Sequence, residues 1–222
     1  MLKVGLTGGI ASGKSVVGEM LAGMGAHVVQ ADILAHELMQ PGQPVYEEVV
    51  RRFGRGILEA DGRVNRPRLA QAAFGNPATG RASRIKELNQ IVHPAVINKQ
   101  DEWMAEVGRR EPGAVTVVEA ALILEAGAAE RFDRLIVVTC QPEQRVRRWS
   151  RKMRIDEESA RAEVSRRMSA QLPDEKKIEA ADYVIDNSGS LDDTKRQVSE
   201  VFAKLREEAI LKTQHHSWAD RG

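Results

Sequence analysis

The chain has 222 residues, of which 42% are hydrophobic and 29% are charged, a composition typical of folded globular proteins and unlike that of disordered, fibrous or membrane-spanning chains. Its 33 basic and 32 acidic residues leave a net charge of +1, which argues against nucleic acid or an anionic membrane as a partner. The single cysteine, Cys140, excludes an internal disulfide and a multi-thiolate zinc site. Because no apolar run approaches the roughly 20 residues of a spanning helix and the start lacks a secretory leader pattern, we expect a cytoplasmic protein.

The first forty residues predict two pairs of a strand followed by a helix. Residues 2–6 form a short apolar run typical of a buried strand, and residues 15–24 repeat apolar side chains at helical spacing. The segment "HVVQA" at 27–31 predicts a second strand. The segment "DILAHELM" then predicts a helix that stops before the Pro-Gly pair at 41–42.

The middle of the chain, from residue 45 to about 107, predicts helices and little strand. Four amphipathic segments are separated there by Gly and Pro: "VYEEVVRRF", "RPRLAQAAF", "RASRIKELNQIV" and "PAVINKQDEWMAEV". We therefore predict a helical insertion in which Pro94 begins a new helix and His93 lies at a helix boundary.

The second half of the chain returns to strands. Continuous apolar runs at 114–120 and 134–140, and "DYVIDN" at 182–187, predict three more strands around a charged helical stretch at 142–180. A long helix is expected over 191–211, followed by a solvated tail without a metal site. Five strands separated by helices predict an α/β fold, with a five-stranded parallel sheet, helices on both faces and right-handed crossovers.

The segment "GGIASGKS" matches the phosphate-binding pattern GxxxxGKS between a predicted strand and a predicted helix. Glycines let the backbone fold around an anion with its N–H groups pointing inward, and the start of the helix adds the positive end of its dipole. Lys14 can reach the β- and γ-phosphates, and the Ser15 hydroxyl can bind the Mg²⁺ that bridges them. We predict a nucleoside triphosphate site whose loop contacts come from Gly8, Gly9, Ala11, Ser12, Gly13, Lys14, Ser15 and Val16.

Acidic residues follow two of the predicted strands. Glu119 ends the run "VTVVE" and is a candidate for a second group near Mg²⁺, with Glu125 a weaker one. Paired with an arginine, Glu119 would instead be structural. Asp32 follows the second strand, at the edge of a parallel sheet where ligands bind, so it is a candidate base for an attacking hydroxyl. Asp32 would also make sense as the N-cap of its helix.

The segment "RVRRWSRKMR" concentrates positive charge on a predicted helix. Arg148 shares a face of that helix with Arg151 and with Lys152, so Arg148 and one of these cations are candidates to close over the triphosphate. In the alternative, the helix is solvated and its arginines pair with the glutamates at 157, 158 and 163. The guanine-reading NKxD pattern is absent, which favours a phosphoryl transferase over a GTPase switch.

Together these residues resemble the dephospho-CoA kinase family, whose members transfer the ATP γ-phosphate to the ribose 3′-hydroxyl of dephospho-CoA in the last step of coenzyme A synthesis. The resemblance extends from residue 6 to about 201 and rests on "LTGGIASGKS", "ADILAHELMQPG", "LNQIVHP", "FDRLIVVTC" and "QLPDEKKIEAADYVIDNSG" in this order. It implies ATP, Mg²⁺ and dephospho-CoA as ligands. The residues expected to act in transfer are Asp32, Lys14 and Arg148, with Arg148 and Arg151 on ATP and with Asp32 and His93 on the acceptor.

The resemblance also implies a P-loop kinase fold in three parts. The nucleotide-binding core would comprise residues 1–35, 110–142 and 181–222. The helical acceptor insertion would be 36–109, and the lid would be 143–180.

The sequence departs from the family pattern at specific points. Gln30 stands where the first acid of an Asp-Ala-Asp motif is common, and "EAALILE" replaces a segment of the type Asp-x-Pro-Leu-Leu-Phe-Glu. The spacing of the cations after Arg148 also differs from the usual one. Two other functions stay open: a nucleoside or nucleoside monophosphate kinase, and a nucleotide-dependent binding module without catalysis.

Overall fold

The computed structural model of the protein describes residues 1–74 and 82–219, the last five of these as backbone only. The chain divides into two compact units: one combines Met1–Gln30 with Met104–Gly222, and the other is Ala31–Trp103. The first unit contains the glycine loop and the five strands of the sheet, and the second contains Asp32 and His93. No helix in the described part of the chain is both long and apolar enough to cross a membrane.

The sheet has five strands in the spatial order β2-β3-β1-β4-β5, and each neighbouring pair is parallel. Parallel neighbours require crossover connections, and the segments between the strands supply them. The prediction of a five-stranded parallel sheet is confirmed, and each strand begins and ends close to its predicted bounds. The strands are β1 (Leu2–Gly8), β2 (His27–Gln30), β3 (Val115–Glu119), β4 (Arg134–Thr139) and β5 (Tyr183–Asp186).

Helices account for most of the remaining described chain. They are α1 (Lys14–Gly23), α2 (Ala31–Leu38), α3 (Pro44–Phe53), α4 (Arg66–Phe74), α5 (Ile85–Arg110), α6 (Pro142–Met153), α7 (Glu157–Ser169), α8 (Asp174–Glu179) and α9 (Leu191–Ala219). On one face of the sheet, α1 and α9 pack against β1 and β3, where Leu6, Val17 and Leu205 are fully buried. On the other face, Leu135 and Val137 form a smaller buried cluster, and α8 contacts β4. Helices therefore cover both faces, as predicted.

Pro94 does not begin a new helix, and the predicted break there is wrong. The helix α5 runs without interruption from Ile85 to Arg110, with Pro94 in its interior. A proline inside a helix removes one backbone hydrogen bond and costs about 3 kcal/mol. The buried side chains of Val92 and Val96, one helical turn apart on either side of Pro94, offset that cost through packing.

The segment after residue 211 is not a loose tail, because α9 continues to Ala219. The Lys212 ammonium lies 2.6 Å from both carboxylate oxygens of Asp133, and the Thr213 hydroxyl donates a hydrogen bond of 2.8 Å to the Pro112 carbonyl oxygen. Burial raises the pKa of Asp133, but the Lys212 ammonium and the Lys3 backbone N–H bring it below its usual range. These contacts hold Lys212 and Thr213 of α9 against the core. Residues 220–222 lie outside the described part.

Candidate functional site

The glycine loop between β1 and α1 has the backbone geometry that its pattern predicts. Gly13 has a φ of 98°, in the left-handed region that favours glycine. A Cβ atom at Gly8 would lie 2.3 Å from the Val138 carbonyl oxygen, and one at Gly13 would lie 2.0 Å from Asn187 Nδ2. Neither position has room for a side chain. The loop is therefore packed tightly against the ends of β4 and β5.

Lys14, the first residue of α1, folds back over this loop. Its Nζ donates hydrogen bonds to the carbonyl oxygens of Gly8 at 2.9 Å and of Gly9 at 3.2 Å. The ammonium is therefore held beside the loop backbone, where an anion seated in the loop would meet it.

Ser15 and Glu119 meet at the carboxyl end of β3, as their predicted roles require. The Ser15 hydroxyl donates a hydrogen bond of 2.8 Å to Glu119 Oε1. Oε2 is buried and accepts no hydrogen bond from any residue that the structure describes. No arginine among the described residues pairs with Glu119, so the alternative role predicted for it is not observed. A hydroxyl beside a carboxylate with one unsatisfied oxygen fits the oxygen donors that Mg²⁺ prefers.

Arg148 and Asn187 both bind the backbone of the loop. Arg148 Nη1 donates to the Ser12 carbonyl oxygen at 3.0 Å, and Asn187 Nδ2 donates to the same oxygen at 2.8 Å. Arg148 Nη2 also donates to the Asn187 carbonyl oxygen at 2.8 Å, and Asn187 Oδ1 accepts from the Thr194 hydroxyl at 2.9 Å. The sequence prediction missed Asn187, although its place directly after β5 is the signal that would have found it.

A cavity of about 470 Å³ opens beside the loop. Arg148 and Lys152 line it, whereas Arg151 is exposed and is not among the lining residues. Of the two cations predicted to accompany Arg148, the structure therefore brings Lys152 to this cavity. Trp149 lies on its wall, with the Arg167 guanidinium 4.7 Å from the centre of the ring. The lining residues are Ala11, Gly13, Lys14, Ser15, Val16, Arg148, Trp149, Lys152, Asn187 and Leu191.

Arginines of α7 form ion pairs, but of the three glutamates in the alternative interpretation only Glu163 is among their partners in the described part of the chain. Arg166 and Arg167 both bind Glu163, and Arg161 binds Glu143 through two hydrogen bonds. The arginines of these pairs are exposed, so this part of the basic stretch is a solvated surface. On α6, by contrast, Arg148 and Lys152 line the cavity and Arg145 is buried.

Asp32 and His93 belong to the unit Ala31–Trp103 and are both exposed. Asp32 is the second residue of α2, which begins at Ala31, so it is not the N-cap. His93 lies inside α5 and not at a helix boundary, which corrects that prediction. Neither side chain forms a hydrogen bond with another residue in the described part of the chain.

Glu125, the weaker metal candidate, has a structural partner. Its Oε1 lies 2.9 Å from Nζ of Lys177, which is fully buried, and it also accepts the Leu172 backbone N–H at 3.0 Å. Among residues 1–74 and 82–214, no group of three His, Cys, Asp or Glu side chains could hold a metal ion. A cation beside Ser15 and Glu119 would therefore need further oxygen ligands from a bound phosphate or from water.

Comparison with known proteins supports the family resemblance seen in the sequence, and it does so over most of the chain. The family model for dephospho-CoA kinase matches residues 2–193. The dephospho-CoA kinase of Leifsonia xyli is 38% identical over 93% of this chain and 100% of its own length. A crystal structure from Thermus thermophilus is 33% identical, with a TM-score of 0.73 over 92% of this chain and 97% of that one. The solved structure of dephospho-CoA kinase from Campylobacter jejuni is 23% identical, with a TM-score of 0.65 over 93% of this chain and 98% of that one, and shows the shared P-loop kinase fold. The chain therefore belongs to the dephospho-CoA kinase family.

Proposed function

We propose that the protein transfers the γ-phosphate of ATP to the ribose 3′-hydroxyl of dephospho-CoA, giving coenzyme A and ADP. The observation that carries this proposal is the loop from Gly8 to Ser15, with Lys14 folded over it and Ser15 bonded to Glu119, in a chain of the dephospho-CoA kinase family. In the reaction, the 3′-oxygen forms a bond to the γ-phosphorus, and the bond to the β,γ-bridging oxygen breaks. ADP leaves with that electron pair.

The cavity beside the loop is the proposed ATP site. The loop N–H groups and Lys14 would bind the β- and γ-phosphates, and Arg148 and Lys152 would balance the charge that moves onto ADP. Trp149 and Leu191 give the same cavity an apolar wall that suits a purine base. Residues 143–180, which contain α7, α8 and all of α6 except its first residue, are the proposed lid.

Ser15 and Glu119 are the proposed Mg²⁺ ligands. When bound there, Mg²⁺ would neutralise charge on the phosphate oxygens. Glu119→Gln removes that negative charge while keeping an acceptor for the Ser15 hydroxyl. We therefore expect the Mg²⁺ concentration for half-maximal rate to rise about tenfold, as one lost charge contact implies. An unchanged Mg²⁺ requirement would return Glu119 to a structural role.

The proposed acceptor residues are Asp32, which lies just before the helical insertion at 36–109, and His93, which lies inside that insertion. Asp32 would accept the proton of the 3′-hydroxyl as that oxygen attacks. His93 would bind the acceptor without taking part in proton transfer. The exposure of both side chains keeps them accessible to a substrate.

The deciding experiment is an assay of ADP release with ATP and Mg²⁺. Dephospho-CoA is compared with a panel of nucleosides and nucleoside monophosphates under identical conditions, and 3′-phosphorylation is verified by mass spectrometry and enzymatic digestion. We expect that, among these acceptors, only dephospho-CoA supports rapid turnover. Rapid turnover of a nucleoside or monophosphate with dephospho-CoA inert would favour the alternative kinase, and ATP binding without any transfer would favour the binding module.

A further inference from the structure

Arg145 is a buried cation beside the glycine loop, and none of the roles above uses it. It precedes Arg148 by three residues on α6, yet its side chain is only 1% exposed. Nη2 pairs with the carboxylate of Asp174 at the start of α8, and Nε and Nη2 each lie 3.4 Å from the Cys140 carbonyl oxygen. The guanidinium therefore joins the lid helix α6 to α8 and to the end of β4.

The third nitrogen of this guanidinium faces the loop. Arg145 Nη1 is buried and donates no hydrogen bond to any residue that the structure describes. A Cβ atom at Gly9 would lie 2.0 Å from Nη1 and 3.1 Å from Cζ, so the guanidinium packs directly on the Gly9 backbone. Arg145 thus contacts the beginning of the loop, whereas Arg148 contacts Ser12 near its end.

The charge of this arginine is only partly balanced within the protein. The side chain of its partner Asp174 is 27% exposed, so water screens the carboxylate more than the guanidinium. A buried charged group with an unmade hydrogen bond is costly. Burial also raises the pKa of the Cys140 thiol, while Arg145 and Arg148 act against that rise, so the positive field reaches the end of β4.

We propose that Arg145 is a positioning residue for ATP. Its buried guanidinium packs against the Gly9 backbone and supplies a fixed positive charge that favours the phosphate-bound loop. This inference rests on the proposed function, because it requires a nucleotide in the loop. Arg145 does not touch the reacting atoms. It acts through the loop backbone, and the triphosphate completes the charge balance that Asp174 begins.

Three variants separate this role from simple support of the fold. Arg145→Met removes the charge and keeps much of the side-chain length. Arg145→Met with Asp174→Leu replaces the whole pair by apolar side chains, an exchange that buried ion pairs often tolerate without loss of stability. Arg147→Met is the matched control, since Arg147 is an exposed arginine on the same helix. For each variant, calorimetry gives the Kd for ATP, thermal unfolding gives Tm, and kinetics give KM for both substrates.

We expect the ATP Kd to rise about tenfold in Arg145→Met, a change of about 1.4 kcal/mol, with KM for dephospho-CoA unchanged and Arg147→Met normal. The double variant should have a wild-type Tm but still bind ATP as weakly as Arg145→Met does. Recovery of both Tm and ATP affinity in the double variant overturns the inference, as does normal ATP affinity in Arg145→Met. If neither Arg145→Met nor the double variant folds, the inference is also overturned, and Arg145 and Asp174 form a purely structural pair.

The same measurements keep this inference distinct from the proposed function. A wild-type protein that neither binds ATP nor phosphorylates dephospho-CoA overturns both. A wild-type protein that does both, with Arg145→Met matching it in ATP affinity, overturns the role of Arg145 alone.

Discussion

The glycine loop and the proposed acceptor residues are held in opposite ways. Around the loop, the Ser12 carbonyl oxygen accepts hydrogen bonds from Arg148 and from Asn187, and the Ser15 hydroxyl binds Glu119. Asp32 and His93, in the unit Ala31–Trp103, are exposed and have no hydrogen-bond partner among the described residues.

This difference separates the proposed donor site, whose side chains are already held in place, from the proposed acceptor residues, which a bound substrate would have to order. Groups already fixed by packing lose little conformational freedom when a ligand binds, whereas exposed side chains lose it at that moment. Changes around the loop should therefore alter ATP binding together with the rate. Changes at the acceptor residues should alter turnover while ATP binding stays normal.

The largest effect is expected from Lys14→Ala. Its Nζ is already held beside the loop by the Gly8 and Gly9 carbonyl oxygens, and phosphate contact in the ground state and in transfer would both be lost. We expect kcat/KM to fall about 10³-fold and the ATP Kd to rise with it. Lys195→Ala, at an exposed position of α9, is the control. Normal ATP affinity in Lys14→Ala would contradict the preformed donor site.

Asp32→Asn tests the acceptor side of the comparison. Loss of a positioned base should lower kcat about 10²-fold, while the ATP Kd measured without acceptor stays at the wild-type value. Glu37→Gln, a second exposed acid on α2, is the control and should behave as wild type. A weakened ATP affinity in Asp32→Asn would mean that this residue belongs with the donor site.

Asn187→Ala should have a moderate effect on the donor site. The change removes the hydrogen bond to Ser12 and leaves the buried Thr194 hydroxyl without its Asn187 acceptor. We expect the ATP Kd to rise about tenfold and stability to fall by about 1–3 kcal/mol. Thr194→Val keeps the contact to the loop, so its ATP affinity should be closer to wild type. Equal losses in both variants would argue against a direct role of Asn187 at the loop.

The smallest effect is expected at Glu163, on the solvated side of α7. Its hydrogen bond from Arg166 lowers its pKa to about 2; burial opposes this shift and Arg167 adds to it. A carboxyl whose pKa is depressed by folding stabilises the protein above its unfolded pKa of about 4.3, and that stability is lost as pH falls toward 2. Tm of the wild type should therefore drop more between pH 5 and pH 2 than Tm of Glu163→Gln.

The expected difference at Glu163 is at most about 1 kcal/mol, because Arg166 and Arg167 are largely exposed to water. ATP affinity at neutral pH should be the same in both proteins. A loss of ATP affinity in Glu163→Gln would extend the loop network to the outer surface of α7.

The strands and the glycine loop were predictable because their signals are local. Short apolar runs between helices specify a buried parallel sheet, and the pattern from Gly8 to Ser15 contains its own backbone requirements. The meeting of Ser15 and Glu119 was also predictable, since parallel strands bring their carboxyl ends to one edge of the sheet. The helix through Pro94 was not, because packing of Val92 and Val96 outweighs the local cost of the proline.

The sequence by itself determined the fold class, the phosphate-binding loop and the family. Only the tertiary structure decided which side chains hold that loop. Asn187 reaches Ser12 across 175 positions of the chain, and the guanidinium of Arg145 turns inward to Gly9 while Arg148, three residues later, lines the cavity. The sequence shows that Asn187, Arg145 and Arg148 are polar or charged. Which of them is buried depends on contacts between segments far apart in the chain, and only the folded protein forms those contacts.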